Sequence, residues 1–159
     1  MKEIQLSFIS FEPEKNRFRA CFPLGDFILN EQDYEKNFSK AEKIYESSIK
    51  RMLTIVNEMN NYKQKHRRLP AQIVWELGDT IFELQKDLNC ISLQIDGLYH
   101  HLVRDLGLKR KWLEKVIILR RYIEDKKIIT ESMNWSKFEK GTKKVALDLC
   151  KEFNINKNV

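Results

Sequence analysis

A chain of 159 residues with 42% hydrophobic side chains can bury a core, which excludes wholesale disorder and leaves room for one domain, or one domain with a long appended helix. Lys and Arg number 29 against 23 Asp and Glu, a net charge of +6 that favours a polyanionic partner such as nucleic acid. Cys21, Cys90 and Cys150 are odd in number and far apart, with no CxxC or Cys/His cluster. That excludes a disulfide framework and a zinc site, and fits reduced thiols in a cytoplasmic protein.

The first residues, MKEIQLSFISFEPEK, lack the unbroken apolar core and small-residue cleavage site of a signal peptide. No apolar run approaches the ~18 residues of a transmembrane helix, so no membrane association is expected. Ile4, Leu6 and Phe8 alternate with polar positions, and Phe18, Ala20 and Phe22 alternate with Arg17, Arg19 and Cys21. Between them Glu12-Pro13-Glu14-Lys15-Asn16 is a turn-type cluster, which predicts a β-hairpin arm within residues 1–30. An isolated hairpin is marginal in water, so this one must pack on helices or pair with another chain. Pro23 and Gly25 end the pattern.

Residues 31–68 read as one long amphipathic helix. Tyr34, Phe38, Ala41, Tyr45, Ile49, Met52, Val56 and Met59 recur every three or four positions, with neither Gly nor Pro between Glu31 and His66. Such a helix spans roughly 50 Å, and a small core cannot cover the whole stripe. Coiled-coil pairing in a homodimer or antiparallel packing on later helices would cover it. The same stripe, over residues 34–62, is a possible docking face for a protein partner. The basic run Lys63 to Arg68 suits the negative end of the helix dipole.

Residues 69–153 are expected to form a helical domain. Pro70 suits a helix start, and Ile73, Val74, Leu77, Ile81, Leu84 and Leu88 form an inner face that ends near Asn89-Cys90. Ser92 is a candidate cap, and Gly97 predicts an irregular lead-in to the next helix. Residues 99–123, YHHLVRDLGLKRKWLEKVIILRRY with its flanking residue, read as a helix-turn-helix-like pair hinged at Gly107, whose second helix is strongly basic. After the charged stretch Glu124 to Lys127, a final helix is predicted from Trp135 to Phe153, with 154–159 a flexible tail. The expected fold is mainly α: a helical bundle with a long N-terminal amphipathic helix, the helix-turn-helix-like pair and the short hairpin.

Between Lys109 and Lys127 there are eight basic and three acidic residues. Lys109, Arg110 and Lys111 fall at the turn and first turn of the second helix, where a recognition helix meets bases and phosphates. Basic side chains there oppose the helix dipole, a small stability cost that a phosphate partner would offset. Lys109, Arg110, Lys111, Lys115, Arg120 and Arg121 are therefore candidates for nucleic-acid contact, with Trp112 as a stacking or anchoring side chain. The bland alternative is a solvated charged face on an ordinary helical hairpin. Trp75 reads as core.

No catalytic constellation is legible. His66, His100 and His101 have no triad or metal spacing, and the phosphate-cradling glycine motifs are missing from the chain. Glu124-Asp125-Lys126 has the acid-x-Lys spacing of half a metal nuclease site, but a charged helix exit explains it better. No cofactor and no metal are expected.

Trp75-Glu76-Leu77-Gly78, Leu106-Gly107-Leu108, Leu119-Arg120-Arg121-Tyr122 and Trp135-Ser136 together carry a resemblance. Residues 70–146 resemble the N-terminal helical domain that precedes PD-(D/E)xK-type nuclease domains in a large bacterial family of unknown function. The resemblance implies a winged-helix-like or helix-turn-helix DNA-recognition module. The chain departs from that pattern: a hairpin and a long helix precede the module and no nuclease segment follows, so no catalytic role is carried over. The expectation is a non-catalytic binder of double-stranded DNA. The alternative is a helical protein-interaction module, an adaptor or inhibitor docking through the long helix. Basic residues clustered on one exposed face favour the first; dispersed charge and an exposed stripe favour the second.

Overall fold

A computed structural model of the chain describes residues 7–12, 17–21, 31–91, 93–95 and 97–157, with side chains for 39–91, 95 and 97–155. The turn at 13–16, the breaks at Pro23 and Gly25, the side chains of Tyr34 and Phe38, the Ser92 cap and the last two residues lie outside the described residues. The fold is mainly helical. No helix among the described residues is long and apolar enough to cross a membrane.

Strands β1 (Ser7–Glu12) and β2 (Arg17–Cys21) pair antiparallel, with Phe11 opposite Phe18. A three-residue strand, β3 (Leu93–Ile95), joins β1 in parallel and gives the order β2-β1-β3. Sequence reading places a cap and an irregular lead-in where β3 lies. Three residues are too few to display the alternation that marks a strand.

The Gly- and Pro-free stretch forms a single helix, α1 (Glu31–Gln64). Ala41, Tyr45, Met52, Val56 and Met59 are buried along it, joined by Ser48. They pack on α2 (Ala71–Cys90) and α3 (Leu98–Leu106). Arg51 pairs with Glu83 at 3.1 Å, a register that matches two helices running antiparallel from their short connection. The stripe from Ala41 to Met59 is thus covered within the chain. That removes the argument for a coiled-coil partner, or for a docked protein, along this stretch.

Helix α1 ends on a double hydrogen bond, Arg67 N–H to the Tyr62 carbonyl (2.9 Å) and His66 N–H to the Lys63 carbonyl (3.1 Å). The motif needs a left-handed residue at its corner, and His66 takes φ 53° there, where Gly is usual. Pro70 then precedes α2 with φ −63° and ψ 137°, just outside the helix. All six residues expected on the inner face of α2 are buried, together with Ala71, Trp75 and Thr80. The segment before α2 is clasped by a distant one: Ala71 N–H donates to the Met133 carbonyl (3.0 Å) and Trp135 N–H to the Leu69 carbonyl (2.8 Å), flanking a Pro70–Asn134 bridge.

Gly107 ends α3 at φ 66°, with Leu108 N–H bonded to the Val103 carbonyl at 3.2 Å, and three residues lead into α4 (Arg110–Tyr122). A single 3-10 turn follows at Lys126–Ile128. The predicted final helix is two helices, α5 (Ser136–Glu139) and α6 (Thr142–Lys157), with a corner at Lys140-Gly141. Gly is a poor helix interior residue, and here Gly141 serves as the first carbonyl acceptor of α6, from Val145 N–H at 3.0 Å. The tail expected from 154 onward is helical as far as Lys157, a stretch that contains no Gly or Pro to stop it.

Candidate nucleic-acid interface

Helix α4 has two unlike sides, and helical phase decides which residue takes which. Leu113, Val116, Ile117 and Leu119 are buried, facing α2 and α6. At 100° per residue, Arg110, Arg121, Glu114, Ile118, Lys111, Tyr122 and Lys115 fall in that order across one arc of about 140° on the other side. Arg110, Lys111, Glu114 and Arg121 are exposed and Lys115 half-buried. The structure thus brings Arg110, Lys111, Lys115 and Arg121 onto one face, with Lys109 preceding them in the turn. Glu114 tempers the charge through a 3.4 Å ion pair with Arg110.

Two of the sequence candidates are not on that face. Arg120 follows Leu113 and Val116 by seven and four positions, which is core phase. Its Nε lies 2.9 Å from Asp79 Oδ1, and its guanidinium sits 5.2 Å from the Trp75 ring and 4.8 Å from that of Phe82. It is a strut between α4 and α2. Trp112 is half-buried and meets Trp135 edge to face at 5.8 Å, which makes it an anchor.

The four residues Trp75 to Gly78 hold α4 from behind. Trp75 Nε1 donates to the Ile123 carbonyl at 2.7 Å, and Glu76 pairs with Lys126. A Cβ on Gly78 would lie 2.8 Å from Arg120 Cβ and 3.0 Å from the Val116 carbonyl, so the glycine lets the two helices approach. The acid-x-Lys stretch is spent structurally: Lys126 on Glu76, and the Asp125 carboxylate accepting Lys127 N–H at 2.9 Å.

Sequence reading missed a second set of cations. An open groove of about 680 Å³ between α4 and the α5–α6 corner is lined by Lys115, Lys140, Lys143, Lys144 and Lys151, with Ile118 and Leu147 among its apolar residues. The available signal was Gly141, which breaks the predicted helix and sets these lysines around a corner.

Between α1 and α3, the Tyr45 hydroxyl donates to Asp105 Oδ2 at 2.5 Å, and Arg104 Nε lies 3.0 Å from Asp105 Oδ1. Burial, then the hydrogen bond to Asp105 and its charge, pushes the Tyr45 hydroxyl well above the ordinary phenol range. His101 is buried with Nδ1 3.4 Å from the Arg104 guanidinium, whereas its neighbour His100 is exposed. This network ties α1 to α3 and thereby fixes the base of the turn that presents α4. Cys150, whose thiol donates to the Tyr122 carbonyl at 3.3 Å, has its pKa raised by burial and then by the Glu124 charge. Among the described residues, no three His, Cys, Asp or Glu side chains gather as a metal site.

No protein-family model, no curated protein and no solved structure matches the chain.

Proposed function

We propose that the protein binds double-stranded DNA without catalysing a reaction on it, using the outward face of α4 and the turn before it. The carrying observation is that Arg110, Lys111, Lys115 and Arg121 share one outward arc of a single helix and follow Lys109 directly. The start of α4 has no acidic residue and no side-chain cap, so the positive end of its dipole adds to three successive basic side chains. That is an arrangement a phosphate stabilises and a purely structural helix avoids. We read α3 and α4 as a helix-turn-helix-like unit within a helical bundle that carries a hairpin arm. In this reading α4 meets the groove, while the turn residues contact the sugar–phosphate backbone.

The test is fluorescence anisotropy with a mixed-sequence duplex over a salt series. Each phosphate contact steepens the log–log salt dependence by about 0.9 units, so the five cations of this face contribute about −4.5 to the slope. Replacing Lys109, Arg110 and Lys111 together by Ala is expected to remove about three units of slope and leave the melting temperature unchanged. A wild-type chain with no salt-sensitive affinity for duplex DNA overturns the reading.

A further inference from the structure

A relay of contacts links the first turn of α4 to the start of α6. Trp112, in the first turn of α4, packs edge-on against Trp135; Trp135 stacks on Phe138 at 6.4 Å; and the Phe138 carbonyl accepts the hydroxyl of Thr142, the first residue of α6, at 2.9 Å. At the far end of α4, the Tyr122 carbonyl meets Cys150, eight residues into α6. The Tyr122 ring also lies 5.4 Å from the Lys143 ammonium, so α6 packs on the end of α4 through both Lys143 and Cys150. Neither helix has an acidic residue in its first turn, and α6 opens with Lys143 and Lys144. Like the three cations at α4, these oppose the dipole rather than complement it.

The groove between the helices carries five lysines against two acids, Glu139 and Asp148, an excess of three positive charges. Lys111, Lys115 and Ile118 lie within about 60° of each other on α4, so the groove is continuous with the α4 face. Nothing lies within 4 Å of where a Cβ on Gly141 would sit, which leaves the corner backbone open to close approach. Leu147, 38% exposed, and Ile118 add apolar surface to the groove beside its lysines. The excess of ammonium groups over carboxylates matches the phosphates of a nucleic-acid backbone, and the apolar surface beside them can meet its sugar edges.

We propose that this groove holds the sugar–phosphate backbone of the duplex that α4 contacts, with Lys140, Lys143, Lys144 and Lys151 joining Lys115 as phosphate ligands. The inference rests on the DNA-binding reading and adds a second contact surface to it. Trp112 and Trp135 act as the spacer that sets the distance between the two basic helix starts.

The experiment compares the full-length wild type with two groove variants, Lys140, Lys143, Lys144 and Lys151 all to Ala and the same four to Arg, and with the α4 triple Ala variant. Duplex affinity and salt slope are measured for each. The quadruple Ala variant is expected to lose at least about tenfold in affinity near 0.1 M salt and about three to four units of slope, with the Arg version restored to wild-type behaviour. If the quadruple Ala variant keeps the wild-type affinity and slope while the α4 variant loses both, the groove proposal is overturned and the α4 reading stands. An Arg version as weak as the Ala one also overturns it, because the loss would then not follow charge. Polyglutamate bound as tightly as duplex, and lost in the same variant, would assign the groove to an acidic polypeptide. If the wild type has no salt-sensitive duplex affinity, both proposals fall together.

Discussion

Arg120 and Arg121 are neighbours in the chain and opposites in the structure. Arg120 lies against Trp75 and Phe82 with its guanidinium on Asp79, its side chain only 18% exposed. Arg121 stands in solvent on the arc shared with Arg110. The difference extends to the two sides of α4 as a whole. The inner side is fixed by close helix approach at Gly78, a buried indole hydrogen bond and a shielded ion pair; the outer side presents exposed cations from Arg110 in the first turn to Arg121 in the last. Position around the helix, not residue type, separates the residues that hold this protein together from those available to a partner.

The inner side should be sensitive and the outer side tolerant, and four substitutions test this in decreasing order of expected effect. Trp75→Ala removes a buried indole and leaves the Ile123 carbonyl without its donor, so chemical denaturation should show a loss of about 3–5 kcal/mol. Gly78→Ala places a methyl against Arg120 and the Val116 carbonyl and should cost about 1–3 kcal/mol. Arg120→Ala, which leaves Asp79 facing the protein without its partner, should destabilise by about 1–3 kcal/mol after allowance for its partial exposure. The matched Arg121→Ala should stay within about 0.5 kcal/mol and instead take about one unit from the salt slope of duplex binding. Reversed outcomes for this pair, with Arg120→Ala altering binding alone and Arg121→Ala altering stability, would break the comparison. A change of opposite sign is expected away from α4: His66→Gly relieves a left-handed corner and should raise stability by about 0.5–1 kcal/mol in the same denaturation assay.

The inner faces of α1 and α2 were legible because apolar residues at intervals of three and four need no tertiary information to be recognised. The stripe from Ala41 to Met59, apart from the half-buried Ile49, and the set from Ile73 to Leu88 are buried where the spacing places them. What covers the α1 stripe was not legible, since antiparallel packing and a coiled coil demand the same pattern; the Arg51–Glu83 register distinguishes them only in three dimensions. Arg120 was misplaced for a different reason. A charge count along Lys109 to Lys127 ignores phase, and phase alone would have set Arg120 with Leu113 and Val116. The groove lysines were hidden by reading Trp135 to Phe153 as one helix, which places Lys140 and Lys151 on a straight rod rather than around the Gly141 corner. The roles of Trp75 and Trp112 separated by burial: one deep in the core, the other holding two helix starts apart.

The clasp between Leu69–Ala71 and Met133–Trp135 gives the molecule two built-in reporters of its cooperativity. The amides of Ala71 and Trp135 are hydrogen-bonded only across this distant junction, to the carbonyls of Met133 and Leu69. Their exchange with solvent deuterium therefore follows the opening of the junction rather than the fraying of any one helix. If α1–α2 and the C-terminal helices unfold as one unit, these two amides exchange as slowly as those in the middle of α2. If the chain comes apart in two steps, they exchange early and together, marking the seam along which it divides.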